Sequence, residues 1–397
     1  MEQDSLMMFD MIHGNIIIDP LAQKIIDTEE FQRLRNIKQL GCCNYVFPSA
    51  THTRFEHSIG VYYLADKYIK ILLKQNINYF TDDEILCIKI GALIHDIGHG
   101  PYSHLFDRVT FNDHEYRSIQ IFKYMDKKYE LGFDDKKINT IEMIINPKKY
   151  QDKIPSDKKY IYQIVSNSNG IDVDRFDYLI RDIKMTGLNY GIEYERIMNH
   201  SYIQNNEIVY SEKIKTNIND FFHVRFIMYK EVYNHHTVRS IEYMMKEYIQ
   251  LLDIYIGISE LIETENWPSF IKLTDNITSI LPFLPKSDKI NKLKCMVKNI
   301  NERKIYKMIG EIISDSDVNI HDKTYNSIKI KDYNDIIIDK VKISYYGIED
   351  CKYILNDQKI YNLSTDNMNH DIYLISIYYK DNKDKQLATS IFESIKL

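Results

Sequence analysis

The chain has 397 residues, 44% of them hydrophobic and 27% charged, a balance that can bury a sizeable globular core. With only 13 glycines and 8 prolines it lacks the composition of a long disordered linker, and a net charge of −6 excludes a general affinity for polyanions. Five cysteines without a CxxC pair fit a reducing compartment, and neither a leader-like segment nor a membrane-length apolar run is seen, so a soluble intracellular protein is expected, in cytoplasm or nucleus.

Residues 1–20 have the pattern of irregular or short-strand structure ending at Asp19-Pro20, and from 21 to about 290 the apolar spacing is helical. One helix is expected over about 55–74. The clearest begins at Thr81-Asp82-Asp83-Glu84, where Thr81 and Glu84 form a capping box for the first free backbone N–H groups. It continues through Ile85, Leu86, Ile88, Ile90 and Leu93-Ile94, apolar on most sides and therefore buried. Gly98-His99-Gly100-Pro101 is expected to stop it, because proline cannot continue the hydrogen-bond ladder. A further helix is expected from about Asp172, and a long one over 217–256. The tail changes character. Stretches 327–346 and 371–379 carry β-branched alternation (Ile328, Ile330; Ile336, Ile338, Val341, Ile343) that predicts strands. The expected fold class is mainly α, a helical domain over 1–309 with a smaller carboxy-terminal α+β lobe over 310–397.

His95-Asp96 stand near the end of a buried helix, where an unpaired carboxylate is costly. The bland alternative is a helix end whose polar groups reach solvent. Other spacings weigh against it. His99 follows His95 by four residues, one turn away if the helix persists, and Arg54-Phe55-Glu56-His57 opens another helix with an imidazole in its first turn. Asp174, Tyr178 and Arg181 share a face of the Asp172 helix, with Asp182 beside it. Imidazoles and carboxylates together would form a nitrogen/oxygen shell suited to iron, manganese or zinc.

The pattern His57…His95-Asp96…Asp174 resembles the HD-domain phosphohydrolases. The wording of 30–40, Tyr45-Val46-Phe47-Pro48, Arg54-Phe55-Glu56-His57-Ser58, 95–104 and Asn169-Gly170-Ile171-Asp172-Val173-Asp174 is similar to the branch of animal dNTP triphosphohydrolases that join a sterile-alpha-motif domain to an HD domain. The resemblance is dense to about residue 240, and the motif domain itself has no counterpart here, so a catalytic core is expected. It implies an HD-domain helical phosphohydrolase core that hydrolyses dNTPs to deoxynucleoside and inorganic triphosphate. His57, His95, Asp96 and Asp174 would hold one divalent transition metal, with Mg accompanying the triphosphate. His99 and His114 match the catalytic histidines. Arg54 and Arg225 match phosphate-binding arginines, and Arg175 stands where the family has a lysine. Gln39, Leu40, Tyr178 and Asp182 match positions around the sugar, and Tyr233 joins the substrate-binding set. Cys42-Cys43 replace a glycine-rich stretch beside it.

The resemblance also implies a homo-oligomer, dimer or tetramer, assembled by a GTP or dGTP activator. Asp27, Gln32, Arg35 and Arg303 match the guanine-reading positions and His235 a second regulatory site, although Leu6 and His236 replace lysines of the family. An ordinary helix-face pair of Asp27 and Arg35 is the alternative. Two rival functions are an HD phosphohydrolase for another nucleotide and a weakly catalytic nucleic-acid binder. The absence of a basic run disfavours the second.

Overall fold

In a computed structural model, which describes residues 6–285, 287–318, 335–343, 351–354, 360–362 and 371–396, the chain opens with an antiparallel hairpin. Its strands, β1 (Leu6–Asp10) and β2 (Gly14–Ile18), lead into α1 (Pro20–Ile26), with proline in the first turn where its missing N–H costs nothing. A short α2 (Glu29–Gln32) follows, then α3 (Arg54–Leu73), α4 (Asp82–Ile94), α5 (His104–Thr110), α6 (His114–Tyr129), α7 (Asp135–Ile145) and α8 (Val173–Thr186). The α3 helix is buried along most of its length and packs on α4 and α8, while α4 packs in turn on α7. Thr81 and Glu84 close the expected capping box at the start of α4.

Two departures from the sequence-based expectation appear here. The α4 helix ends at Ile94, before Gly98, because the chain tightens: the N–H groups of Ile97 and His99 donate to the carbonyls of Ile94 and Asp96, only three residues back. The long helix expected over 217–256 is broken into α10 (Lys215–Met228), a π-helical turn over Tyr229–Tyr233 and α11 (His236–Ile256), after α9 (Tyr194–Asn199). Asn234 forces the break, its backbone and side-chain N–H groups both donating to the Tyr229 carbonyl (3.1 and 2.8 Å).

Two compact units emerge. The first comprises Met1–Arg225, Gly257–Ile277 and Tyr346–Ser364. Besides the helices above it holds α12 (Ile258–Glu263), α13 (Trp267–Phe270) and a sheet of order β3 (Ser201–Gln204), β4 (Glu207–Ser211), β7 (Lys352–Ile354), β8 (Ile360–Asn362). The second comprises Phe226–Ile256, Thr278–Tyr345 and Thr365–Leu397. Its antiparallel sheet, order β5 (Lys307–Ser314), β9 (Ile372–Tyr379), β6 (Ile336–Ile343), packs on α15 (Lys385–Lys396) through Ile336, Ile375, Ile377, Ala388 and Ile391. The strand expectation is met at Ile336–Ile343 and Ile372–Tyr379, whereas Ile328 and Ile330 lie outside the described residues. A single cut after 309 does not follow these units. The apolar face of α11 packs against α14 (Asp288–Asn301) and β5, which draws residues 226–256 into the second unit. Among the described residues no helix is long and apolar enough to cross a membrane.

Candidate active site

Three helix ends converge in the first unit. Thr53 and Glu56 form a capping box that starts α3 and sets His57 in its first turn. His95 caps the carboxy-terminal end of α4, immediately after Ile94, and Asp96 follows it. Asp172 caps α8 by accepting from the Arg175 N–H, so Asp174 projects from that helix's first turn. The Nε2 atoms of His57 and His95 face each other at 3.3 Å. Asp174 Oδ1 lies 3.1 Å from the first and 3.5 Å from the second, and Asp96 offers its two oxygens at 3.4 and 3.5 Å. The side chain of Asp174 is 31% exposed, so this shell is open on one side.

The outer hydrogen bonds decide which ring nitrogens carry protons. His95 Nδ1 lies 2.8 Å from the Ala92 carbonyl, which can only accept, and His57 Nδ1 lies 2.7 Å from the Asp177 carboxylate. In the neutral rings both Nε2 lone pairs therefore point inward, at each other and at two carboxylates. Such a group needs positive charge at its centre. Burial opposes charge on His57, yet hydrogen bonds to Asp174 and Asp177 outweigh it and push its pKa up to about 10. A divalent ion would serve better. Bonds of about 2.0–2.2 Å to a common ion set neighbouring donors roughly 3.0–3.5 Å apart, the spacing found here. His57, His95 and Asp174 form one of the groups with metal-ligating proximity, and Asp96 completes the quartet while pairing with Arg54. The donor set fits a divalent metal.

A second, buried tier braces the first. Asp177 accepts from Arg181 Nε and a terminal nitrogen (both 2.9 Å) and meets His13 Nε2 at 2.7 Å, and Arg181 reaches Asp10 at 2.8 Å. Gly60 makes room for this on α3: a Cβ there would fall 1.9 Å from Asp177 Oδ1. The sequence put Arg181 on the face of Asp174 and Tyr178. Its charge instead goes to Asp177, one helical turn away.

Beyond Asp96 the turn carries His99 onto His114. Their rings stack at 3.7 Å and 18°, and His104 meets both edge-on at 4.9 and 5.3 Å. Gly98 allows the approach, since a Cβ there would lie 2.2 Å from the His114 carbonyl oxygen. Asp107 bonds His114 Nδ1 at 2.8 Å. Burial, then the Arg54 and His114 charges, holds the His99 pKa well below the usual range. Burial also opposes charge on His114, but Asp107 outweighs it and raises the pKa. Stacked imidazoles are thus driven apart in protonation, and neither ring nitrogen of His99 makes a hydrogen bond among the described residues. His104 and Asp107 were absent from the sequence-derived site. Their i, i+3 spacing on α5 was the available signal.

Arg54 bonds Ser103 Oγ (3.0 Å), Asp96 and the Gln39 carbonyl (3.4 Å). Gln39 and Asp182 are buried, and Asp182 meets His52 Nε2 at 2.7 Å. Leu40 and Tyr178 are half-buried, the first leading the turn Gly41–Tyr45 and the second within α8. Arg175 turns back onto its own cap, Asp172. Arg225 lies in the last turn of α10. Tyr233, His235 and Arg303 belong to the second unit, Tyr233 in the π turn and His235 stacked on His236 at 4.4 Å. Asp27, Gln32 and Arg35 are not on one helix face. Asp27 ends α1, Gln32 ends α2 and Arg35 lies in a 3-10 turn, where Arg35 donates to Gln32 (2.9 Å) and stacks on Phe55.

Residues 54–182, which span the whole quartet, match the model of the HD domain family. An HD domain-containing protein of Acanthamoeba polyphaga mimivirus is 44% identical over 341 residues, covering 76% of this chain and 72% of the relative. The chain belongs to the HD-domain family. A deoxynucleoside triphosphate triphosphohydrolase SAMHD1 homolog of Dictyostelium discoideum is 37% identical, covering 78% of this chain and 60% of its own length. The Homo sapiens deoxynucleoside triphosphate triphosphohydrolase SAMHD1 is 34% identical, covering 80% of this chain and 57% of its own length. The chain thus spans somewhat under two thirds of these triphosphohydrolases.

Proposed function

We propose that this chain hydrolyses dNTPs to a deoxynucleoside and inorganic triphosphate. The observation that carries the proposal is the meeting of an inward-facing His57, His95, Asp96 and Asp174 shell with a stacked His99–His114 pair, joined through Asp96, which lies 3.3 Å from His99. Similarity to triphosphohydrolases named for dNTPs supports the substrate class. The divalent ion, iron, manganese or zinc, would supply a Lewis acid for a phosphoryl oxygen and acidify a water. The chain supplies the rest. Asp177 and the Ala92 carbonyl hold the imidazoles in the tautomers that face inward. Arg54, buried beside Asp96, offers guanidinium donors to a triphosphate that arrives with Mg, and Arg175 and Arg225 would add charge by swinging toward it. His114, protonated against Asp107, gives its proton to the departing 5′-oxygen, while His99 stays neutral beside it. Gln39 and Asp182 hydrogen-bond the 3′-hydroxyl beside Leu40. Tyr178 closes the sugar pocket, standing where a ribose 2′-hydroxyl would sit.

Anion-exchange separation of the products from dGTP tests this. Triphosphate is expected. Orthophosphate or pyrophosphate would overturn it and point to another HD phosphohydrolase, and oligonucleotide binding without triphosphate release would point to a nucleic-acid role. Control by GTP or dGTP at Asp27, Gln32 and Arg35, weakened or altered by the replacement of the family's lysines at Leu6 and His236, with assembly into a homo-oligomer, is part of the same proposal. Light scattering with and without the nucleotide checks it, an unchanged mass together with an unchanged rate counting against it.

A further inference from the structure

The guanidinium of Arg117, on α6 one turn after His114, is fully buried and every nitrogen of it is engaged. Its Nε donates to the Gly98 carbonyl at 2.8 Å, and one terminal nitrogen donates to the backbone and side-chain oxygens of Asn112 at 2.6 and 3.0 Å. The other pairs with Asp107 Oδ1, leaving Oδ2 of that carboxylate for His114 Nδ1. One cation thus ties together the turn that carries His99, the loop before α6 and the carboxylate that orients His114. Arg33 completes the grip. It donates to the carbonyls of Ile97 (2.9 Å) and His99 (2.6 Å), so the three successive carbonyls at 97, 98 and 99 are all held by buried guanidiniums. A helix would have used these carbonyls itself. The chain leaves α4 at Ile94, and the arginines take the place of the lost ladder.

We infer that Arg117 is a positioning residue for the reaction, acting through Asp107 to fix the direction in which His114 presents its proton and the ease with which it releases it. This rests on the role of His114 in the proposed function. Arg117 has no nitrogen left for a substrate. Its effect travels along Arg117, Asp107 and His114, as an outer charge tunes an inner acid. The groups facing His114 are Asp107 and His104 from α5, His99 from the turn, and Glu115 at 3.7 Å on its own helix, with the Asp96 carboxylate adding its charge from beyond His99. Of these Asp107 alone is both anionic and hydrogen-bonded to the ring, and Arg117 is the cation that offsets it. Without Arg117 the unopposed carboxylate would hold the His114 proton more tightly, and the oxygen bonded to His114 would no longer be aimed.

The test is the pH dependence of kcat and KM on dGTP for the metal-loaded enzyme, after wild-type release of triphosphate has been established. Absence of triphosphate there removes the proposed function itself, independently of Arg117. In Arg117→Gln the alkaline limb of kcat should move up by about one pH unit, with kcat at neutral pH down about tenfold or more and KM within twofold. Asp107→Asn should move the same limb down, because His114 then loses its anion. Arg117→Lys keeps the cation but not the fork, so the limb should return to the wild-type pH with kcat only partly restored. Arg117→Lys also keeps the proposal exposed if Arg117→Gln does not fold, since wild-type kcat in the lysine variant would overturn it. A limb that stays in place in a folded Arg117→Gln, with only thermal stability reduced, would reduce Arg117 to a packing residue and overturn it as well.

Discussion

Around His57 and His95 each outer ring nitrogen has a fixed acceptor, Asp177 for one and the Ala92 carbonyl for the other, so the tautomers are decided before anything binds. Around His99 and His114 only the second ring is pinned, by Asp107, and the first lies buried with no hydrogen bond among the described residues. The clusters are neighbours and share Asp96, yet one aims two Nε2 atoms at two carboxylates, a group that calls for positive charge at its centre, and the other stacks two imidazoles with a carboxylate on only one of them. On the proposed function the difference separates two tasks: helix ends would hold the ion, and the start of α6, with a non-helical turn stacked on it and a carboxylate behind it, would move the proton.

The largest effects should separate the clusters. His95→Ala or Asp174→Ala should lose bound metal and turnover together, because a shell missing one donor binds poorly, and metal analysis with a product assay reads both at once. His99→Ala should keep its metal while kcat falls by about 100-fold or more, the usual scale for losing proton-transfer machinery. If His99→Ala emptied the site as His95→Ala does, the two clusters would be one. The next effect is smaller and sharpens the contrast from the other side. Asp177→Asn leaves every ligand in place but weakens the bond that orients His57, so metal affinity measured by chelator competition should drop about 10–100-fold. At saturating metal its kcat should stay close to that of the wild type, because the stacked pair is untouched.

The same division explains what was legible in the sequence. The quartet was, through the His57…His95-Asp96…Asp174 pattern and the Thr81 box that marks where α4 begins; the Thr53 box and the Asp172 cap, seen in the structure, set where α3 and α8 begin and hence where His57 and Asp174 point. The brace behind it was not. His13 and Asp177 lie 164 residues apart, and no local pattern announces a contact of that kind. Nor was the turn after Ile94. Four-residue spacing suggested that His95 and His99 share a helix face, but the bonds three residues back and the arginine-held carbonyls turn His99 toward α6 instead. Likewise nothing in 217–256 marks a break by glycine or proline, and the π turn follows from a single asparagine bonding backwards. Strained backbone was equally invisible. Tyr102 and Ser103 both adopt positive φ (60° and 58°), a conformation rare for non-glycine residues. The Tyr102 N–H donates to Asp275 at 2.7 Å, and the Ser103 hydroxyl donates to the Lys38 carbonyl at 2.7 Å.

The smallest expected effect asks whether the helix that would hold the ion can be loosened without disturbing the shell at its far end. Thr81 accepts from the Glu84 N–H at 3.3 Å and Glu84 accepts from the Thr81 N–H at 2.8 Å, at the end of α4 roughly 20 Å from His95. Thr81→Ala removes one of these bonds and should cost about 1 kcal/mol in denaturant unfolding, with metal affinity and kcat unchanged. Burial alone would raise the Glu84 pKa, but Lys158 and the Thr81 N–H outweigh it and hold it below its ordinary 4.5. A carboxyl lowered in this way stabilises the fold above pH 4.5 and loses that contribution as the pH falls through its folded value. Glu84→Gln should therefore be less stable than the wild type at neutral pH, and the gap should narrow on acidification below about pH 4.5. A gap that widened with acid would mean that the carboxyl is favoured in its protonated form, contrary to its pairing with Lys158. A fall in metal affinity in either variant would show that cap and shell are mechanically linked along α4, and the separation between a rigid ion-holding end and the rest of the helix would have to be given up.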